Sequence, residues 1–156
     1  MSSISRAQRS AEAWEALFRA QVTLMRRFEA NGDFAPLTAR EYDVLFQLSR
    51  APAGCMRLRD LNEALLISQP SLSRMTERLT EQGLLSRTPA DDDRRGVVVG
   101  LTERGATLQR QIGRNHVRSI RRLVGEALDD DDLTALTTLT ARLRQRQSDL
   151  DLEGAT

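Results

Sequence analysis

The chain has 156 residues, of which 40% are hydrophobic and 29% charged, and its formal net charge is +1. These values place it among soluble globular proteins of one domain, with or without oligomerisation helices, and supply no excess of positive charge that would by itself attract nucleic acid. The lone Cys55 excludes an internal disulfide framework, no apolar run approaches the roughly 18 residues of a membrane helix, and Met1 to Arg6 lacks the apolar core of a signal peptide. A cytoplasmic location with no membrane partner is therefore expected.

Residues 4–30 read as one long helix, because Ile4, Ala7, Ala11, Trp14, Phe18, Met25 and Phe28 recur at spacings of three and four, broken only by Gln21. Ala13, Leu17, Ala20 and Leu24 make a second apolar edge. A stripe this wide must be covered by something beyond a small neighbouring module, with Trp14 expected to be buried in packing. After a loop at Asn31 to Pro36, Thr38 and Glu41 read as a capping box. They open a helix to about Ser49 that turns Tyr42, Leu45, Phe46 and Leu48 wholly or partly inward. Ala51 to Gly54 breaks it.

From Arg57 to Leu66 a short amphipathic segment places Leu58, Leu61, Leu65 and Leu66 on one side. Only Ile67 and Ser68 separate it from the next helix, the tight connection of a helix-turn-helix. That next helix carries Leu72, Met75 and Leu79 on one side and Arg74, Glu77, Arg78 and Glu81 on the other, with Ser73 on the flank. Ser68 is its expected N-cap, Pro70 suits a first turn, and Gly83 suits a left-handed stop. Its outward face starts with the short side chains of Gln69, Ser71 and Ser73 and continues with guanidinium forks. Such a helix can push its N-terminal half into a DNA major groove; an ordinary solvated face is the alternative.

Leu84 to Thr88 and Gly96 to Leu101 read as strands around a charged loop, Pro89 to Arg95, that is expected to stay outside the core. Thr102 to Gly105 caps a long helix reaching about Leu128, with Leu108, Ile112, Val117, Ile120, Leu123, Val124, Ala127 and Leu128 as its apolar positions. The last helix starts in Asp129 to Asp132, acids that suit a helix N-terminus better than a metal site, since consecutive side chains on one turn diverge. Leu133, Leu136, Leu139 and Leu143 form its stripe, and Asp149 to Thr156 is expected to fray. One His, one Cys and no Gly-rich phosphate loop leave nothing for an enzyme mechanism, and no cofactor or metal is called for. The whole is mainly α with a small β wing: residues 1–35 and 102–156 as terminal helices around a winged helix-turn-helix at 36–101.

Gly83-Leu84-Leu85-x-Arg87, Asp93-Arg94-Arg95-Gly96 and Leu101-Thr102-Glu103-Arg104-Gly105 resemble the MarR family of bacterial transcription regulators. Leu37-Thr38-x-x-Glu41-Tyr42-x-x-Leu45 and Ser68-x-Pro70-Ser71-x-Ser73-Arg74 fit the same pattern, so the resemblance spans roughly residues 10–145. It implies an obligate homodimer whose N- and C-terminal dimerisation helices interleave, with two reading helices on a near-palindromic operator of double-stranded DNA. Half-sites would then lie about one turn, roughly 34 Å, apart. It also implies a short strand at Cys55 to Arg57 against the wing. Some branches sense peroxides through a cysteine in the first helix; none is there in this chain, and Cys55 reads as a small buried hydrophobe.

In these terms the chain reads as a dimeric transcriptional regulator, a repressor released by a small aromatic or anionic ligand. The alternative is a winged-helix module that binds protein and not DNA. Gln69, Ser71, Ser73 and Arg74 are the candidates for base edges and nearby phosphates, and Arg78 for a phosphate. Arg94 and Arg95 are candidates for the flanking minor groove, Arg94 foremost, with Asp92 or Asp93 bracing one of them. Trp14, Phe18, Tyr42, Phe46 and His116 are candidates to line an effector cleft between the dimerisation helices and the winged module, although each also suits a packing or surface role. All 23 basic residues are arginine, so every contact to DNA would use a planar fork of permanent charge.

Overall fold

The computed structural model describes residues 5–65, 67–90 and 93–154, with the backbone alone at 93–95 and 151–154. Ile4 and Leu66, both assigned to apolar faces above, lie outside the described residues. Helix α1 (Arg6–Ala30) is capped by Ser5, whose hydroxyl accepts the Gln8 amide at 3.2 Å. Of its broad apolar stripe only Phe28 is buried. In the single chain Trp14 is 64% exposed.

Helix α2 (Ala39–Arg50) opens on the capping box read from the sequence: the Glu41 amide donates to Thr38 Oγ1 at 3.2 Å and the Thr38 amide to Glu41 Oε2 at 2.8 Å. A 3-10 turn at Pro52–Gly54 leads into β1 (Cys55–Arg57), then α3 (Leu58–Ala64) and α4 (Gln69–Glu81). The side-chain amide of Asn62 donates to the Ile67 carbonyl at 2.7 Å and pins the turn between α3 and α4. Strands β2 (Leu85–Ala90) and β3 (Asp93–Leu101) complete an antiparallel sheet in the order β1-β3-β2. Cys55, in β1, is half-buried.

The hairpin is longer than its sequence suggests. Pro89, Ala90 and Asp93 to Arg95 were expected in the loop but extend the strands, with Ala90 opposite Asp93 and Ala90 itself buried. Proline is tolerated because β2 is the edge strand, where a missing amide need not break a ladder bond.

The core gathers Val44, Leu45 and Leu48 from α2, Leu61 and Leu65 around α3, Leu72 and Leu79 from α4, and Leu84, Leu85 and Val99 from the sheet. Each such leucine contributes about 1.5–3 kcal/mol by leaving water, several times an exposed ion pair, so apolar burial decides where α4 sits. Helix α4 ends at Gly83, whose φ of 71° allows the Leu84 amide to reach the Leu79 carbonyl at 3.0 Å and the Gly83 amide the Thr80 carbonyl at 2.9 Å.

Helix α5 (Glu103–Ile120) begins beside that stop. The Thr102 hydroxyl lies 2.7 Å from the Gly83 carbonyl and 3.1 Å from that of Leu84, and it accepts the Gly105 amide at 3.0 Å. A π-helical turn at Arg121–Gly125 ends α5 earlier than the expected Leu128. In α6 (Asp130–Gly154) the Asp129 carboxylate caps the Asp132 amide at 2.9 Å, and the helix continues to Gly154 where fraying from Asp149 was expected.

Residues 1–116 and 117–156 form two compact units. The division by role into 1–35, 36–101 and 102–156 cuts across the first, because the end of α1 and the body of α5 share one aromatic cluster: Phe28, Phe34, Tyr42 and His116. Among the described residues no helix is long and apolar enough to cross a membrane, and no group of three or more His, Cys, Asp or Glu side chains is arranged to hold a metal ion.

The start of α5 leaves no room for a side chain at Gly105, where an added Cβ would overlap the Leu84 carbonyl oxygen. Gly105→Ala is expected to cost about 3 kcal/mol of stability, read as a lower denaturant midpoint. Gly32→Ala, which meets nothing within 4 Å, should cost only the strain of its φ of 69°, about 1 kcal/mol.

Candidate nucleic-acid interface

The N-terminal half of α4 carries the short polar side chains. Ser68 occupies the N-cap with extended backbone, yet its hydroxyl pairs with Ser71 Oγ at 2.9 Å rather than accepting a helix amide. The buried side of the helix is Leu72, Thr76 and Leu79, with Met75 only partly covered. Thr76 was missed because its burial depends on partners distant in sequence. Its hydroxyl donates to the Ser73 carbonyl at 2.9 Å and accepts from Arg87 Nη1 at 2.9 Å, so a polar group is satisfied inside the core.

Gln69, Ser71, Arg74 and Arg78 are exposed on α4 and Ser73 is half-buried. Arg74 curls back, its Nε donating to the Pro70 carbonyl at 3.3 Å. Arg78 is tied down: Nη2 donates to Glu41 Oε1 at 2.7 Å and Nε to the same oxygen at 3.3 Å. It remains half exposed, so it can still turn a donor toward a phosphate, but from a fixed position. Asp92 lies outside the described residues, as do the side chains of Asp93, Arg94 and Arg95; the backbone of the last three belongs to β3.

Glu41 is the acid that organises this corner, and its side chain is only 9% exposed. One oxygen serves the Thr38 amide and hydroxyl, the other the Arg78 guanidinium. Burial alone would raise its pKa, but the Thr38 amide, the Arg78 fork and the Thr38 hydroxyl together hold it below its ordinary value.

The candidates for an effector cleft divide. Tyr42 has its ring 6.1 Å from both Phe46 and His116, and His116 packs in turn with Phe28 and Phe34. His116 Nδ1 lies 2.9 Å from Asp33 Oδ2, a pairing that neither residue's local sequence announces. Burial pushes the Tyr42 phenol up, with Asp43 adding to it against the bond from Gln109. Phe46 is half-buried, and the Arg50 guanidinium sits 5.7 Å above its ring. Trp14 and Phe18 stack on each other, 5.9 Å apart, on the exposed face of α1. An open hollow of about 1040 Å³ lies elsewhere, among Leu37, Glu81, Leu84, Arg104 and Leu108, and none of the five candidates lines it.

Residues 35–96 match the sequence model of the MarR family. The HTH-type transcriptional regulator PecS of Dickeya dadantii (strain 3937) is 32% identical over 111 residues, which are 70% of this chain and 66% of that protein. The multiple antibiotic resistance protein MarR of Salmonella typhimurium is 30% identical over 115 residues, 72% of this chain and 78% of that protein. Among solved structures, AbsC, a MarR family transcriptional regulator from Streptomyces coelicolor, superposes with a TM-score of 0.78 at 28% identity, covering 95% of this chain and 99% of AbsC. Bordetella bronchiseptica BpsR, solved for the regulation of its DNA binding by 6-hydroxynicotinic acid, superposes at 0.73 with 26% identity, covering 85% of this chain and 98% of BpsR.

The Glu41 corner has a pH signature. A carboxyl held low in the folded chain stabilises the fold fully above its ordinary value of 4.5, and that contribution is lost as pH falls through the lower, folded value. Glu41→Gln should therefore be less stable than the parent near neutrality, and the gap should close on acidification below that window. Parallel denaturation curves at the two pH values measure it.

Proposed function

The chain belongs to the MarR family of transcriptional regulators, and from that premise we propose that it acts as a homodimer on a near-palindromic operator and leaves it when a small aromatic anion binds. The observation that carries the reading is helix α4, which buries Leu72, Thr76 and Leu79 while exposing Gln69, Ser71 and Arg74 beside a hairpin that carries Arg94 and Arg95. In this reading Gln69, Ser71, Ser73 and Arg74 meet base edges and nearby phosphates, and Arg78 meets a phosphate from its seat on Glu41. Arg94 and Arg95 enter the flanking minor groove, where narrow A·T-rich stretches concentrate negative potential.

Dimerisation is supported by apolar side chains that a single chain leaves in water. Trp14 and Phe18 on α1, Val117 and Ile120 on α5, and Leu136, Leu139, Leu143 and Leu150 on α6 are all exposed. Long helices with such faces are unstable alone, so folding and assembly become one process. Release by a ligand is supported by BpsR, whose DNA binding responds to an aromatic acid. Among the five residues proposed for the effector, Phe46 offers a ring beside the Arg50 cation, a pairing suited to an aromatic carboxylate. The ligand must bind the two spacings of the reading heads unequally, since equal binding shifts nothing.

Light scattering at micromolar concentration should give twice the 17.5 kDa of one chain. The same protein should retard DNA from upstream of its own gene. Arg94→Ala and Arg95→Ala should each lower affinity about tenfold and flatten the salt dependence by about one phosphate. A folded dimer that binds no DNA would point instead to a protein-interaction module. In a thermal-shift screen of small aromatic acids, compounds that raise the melting temperature should also release the DNA; stabilisation without release would refute the switch.

A further inference from the structure

Arg87, on β2, is one-fifth exposed and reaches under α4. Its Nη1 donates to the Ser73 carbonyl at 3.0 Å and to Thr76 Oγ1 at 2.9 Å, and it lies 3.3 Å from Glu77 Oε1. That same Glu77 oxygen accepts the Ser73 hydroxyl at 3.1 Å. An acid on the outward side of a DNA-reading helix is thus offset from beneath by a cation and, in turn, holds one of the reading hydroxyls.

The direction of that bond is fixed by chemistry. A serine hydroxyl has one proton and two lone pairs, whereas a carboxylate has only lone pairs. Ser73 must give its proton to Glu77, which leaves its oxygen with lone pairs alone. Ser71 is different, because its partner Ser68 is also a hydroxyl and either can donate. In the major groove adenine N6 and cytosine N4 are donors, while thymine O4, guanine O6 and purine N7 are acceptors. Two adjacent acceptors, Ser73 Oγ and the Glu77 carboxylate, suit the first kind and repel the second.

We propose that Ser73 and Glu77 form an acceptor-only patch, held in place by Arg87, that selects a base presenting an amino group in the major groove and rejects one presenting a carbonyl. Arg87 is a positioning residue here: it touches no base and acts through Glu77 and the backbone of α4. The inference rests on the operator-binding reading above and adds to it the polarity of one contact in each half-site.

The test starts from a pool of randomised duplexes selected with the full-length protein. Each base pair of the enriched site is then inverted in turn and its affinity measured by fluorescence anisotropy. One pair per half-site should carry adenine or cytosine toward the helix, and inverting it should weaken parental binding about fivefold. Ser73→Ala and Glu77→Ala should both reduce that preference to less than about twofold, at the same pair, with preferences elsewhere unchanged. Arg87→Lys keeps the charge but cannot span a carbonyl, a hydroxyl and a carboxylate together, so it should relax the same pair. A merely structural role for these residues would lower affinity evenly across all sites. Unchanged preferences in both Ser73→Ala and Glu77→Ala would overturn the inference while leaving operator binding intact. A parent that enriches no sequence would overturn both.

Discussion

Helix α4 does not roll freely about its own axis, and which of its side chains face outward depends on that restriction. Leu72 and Leu79 set its distance from the core and, because turning the helix would carry them into water, also which face it buries. Two arginines acting from different elements add directed bonds to that constraint. Arg78 leaves the helix to grip Glu41 at the start of α2, and Arg87 enters from β2 to hold the Ser73 carbonyl and the Thr76 hydroxyl. These bonds hold the outward side chains in the facing that the buried side of the helix dictates.

Near-neutral charge and a DNA-facing role are reconciled by arrangement. Two acids at this surface are paired: the buried Glu41 is committed to Thr38 and Arg78, and the outward Glu77 to Ser73 and Arg87. Arginine suits both positions, because a fork can serve several acceptors where an ammonium offers a single point of charge. A chain without lysine is well equipped for this way of building.

What could be read in the sequence was local. The 3.6-residue period gave the long helices, Thr38 and Glu41 announced their reciprocal bonds, Gly83 marked its left-handed stop, and Asp129 its cap. The strand at Cys55 to Arg57 followed from the family pattern. What escaped notice was paired across distance. Thr76 looks like a surface residue until Arg87 arrives from the wing, and Asp33 looks like a loop acid until His116 arrives from α5. Pro89 argued against a strand because periodicity carries no information about which strand lies at an edge. The same holds for the rings: Phe34 meets both Tyr42 and His116, Phe28 meets His116, and no spacing rule foresees such encounters.

The joint at Gly105, closed to the width of a backbone, makes α5 a lever with its fulcrum at the stop of α4. Its 18 residues span about 27 Å at 1.5 Å each. A tilt of about ten degrees at the joint would carry the far end through about 5 Å, close to one helical turn. A small angular change at the joint is thereby magnified along the helix, and slack at the fulcrum, as a single added methyl group would introduce, is magnified in the same proportion.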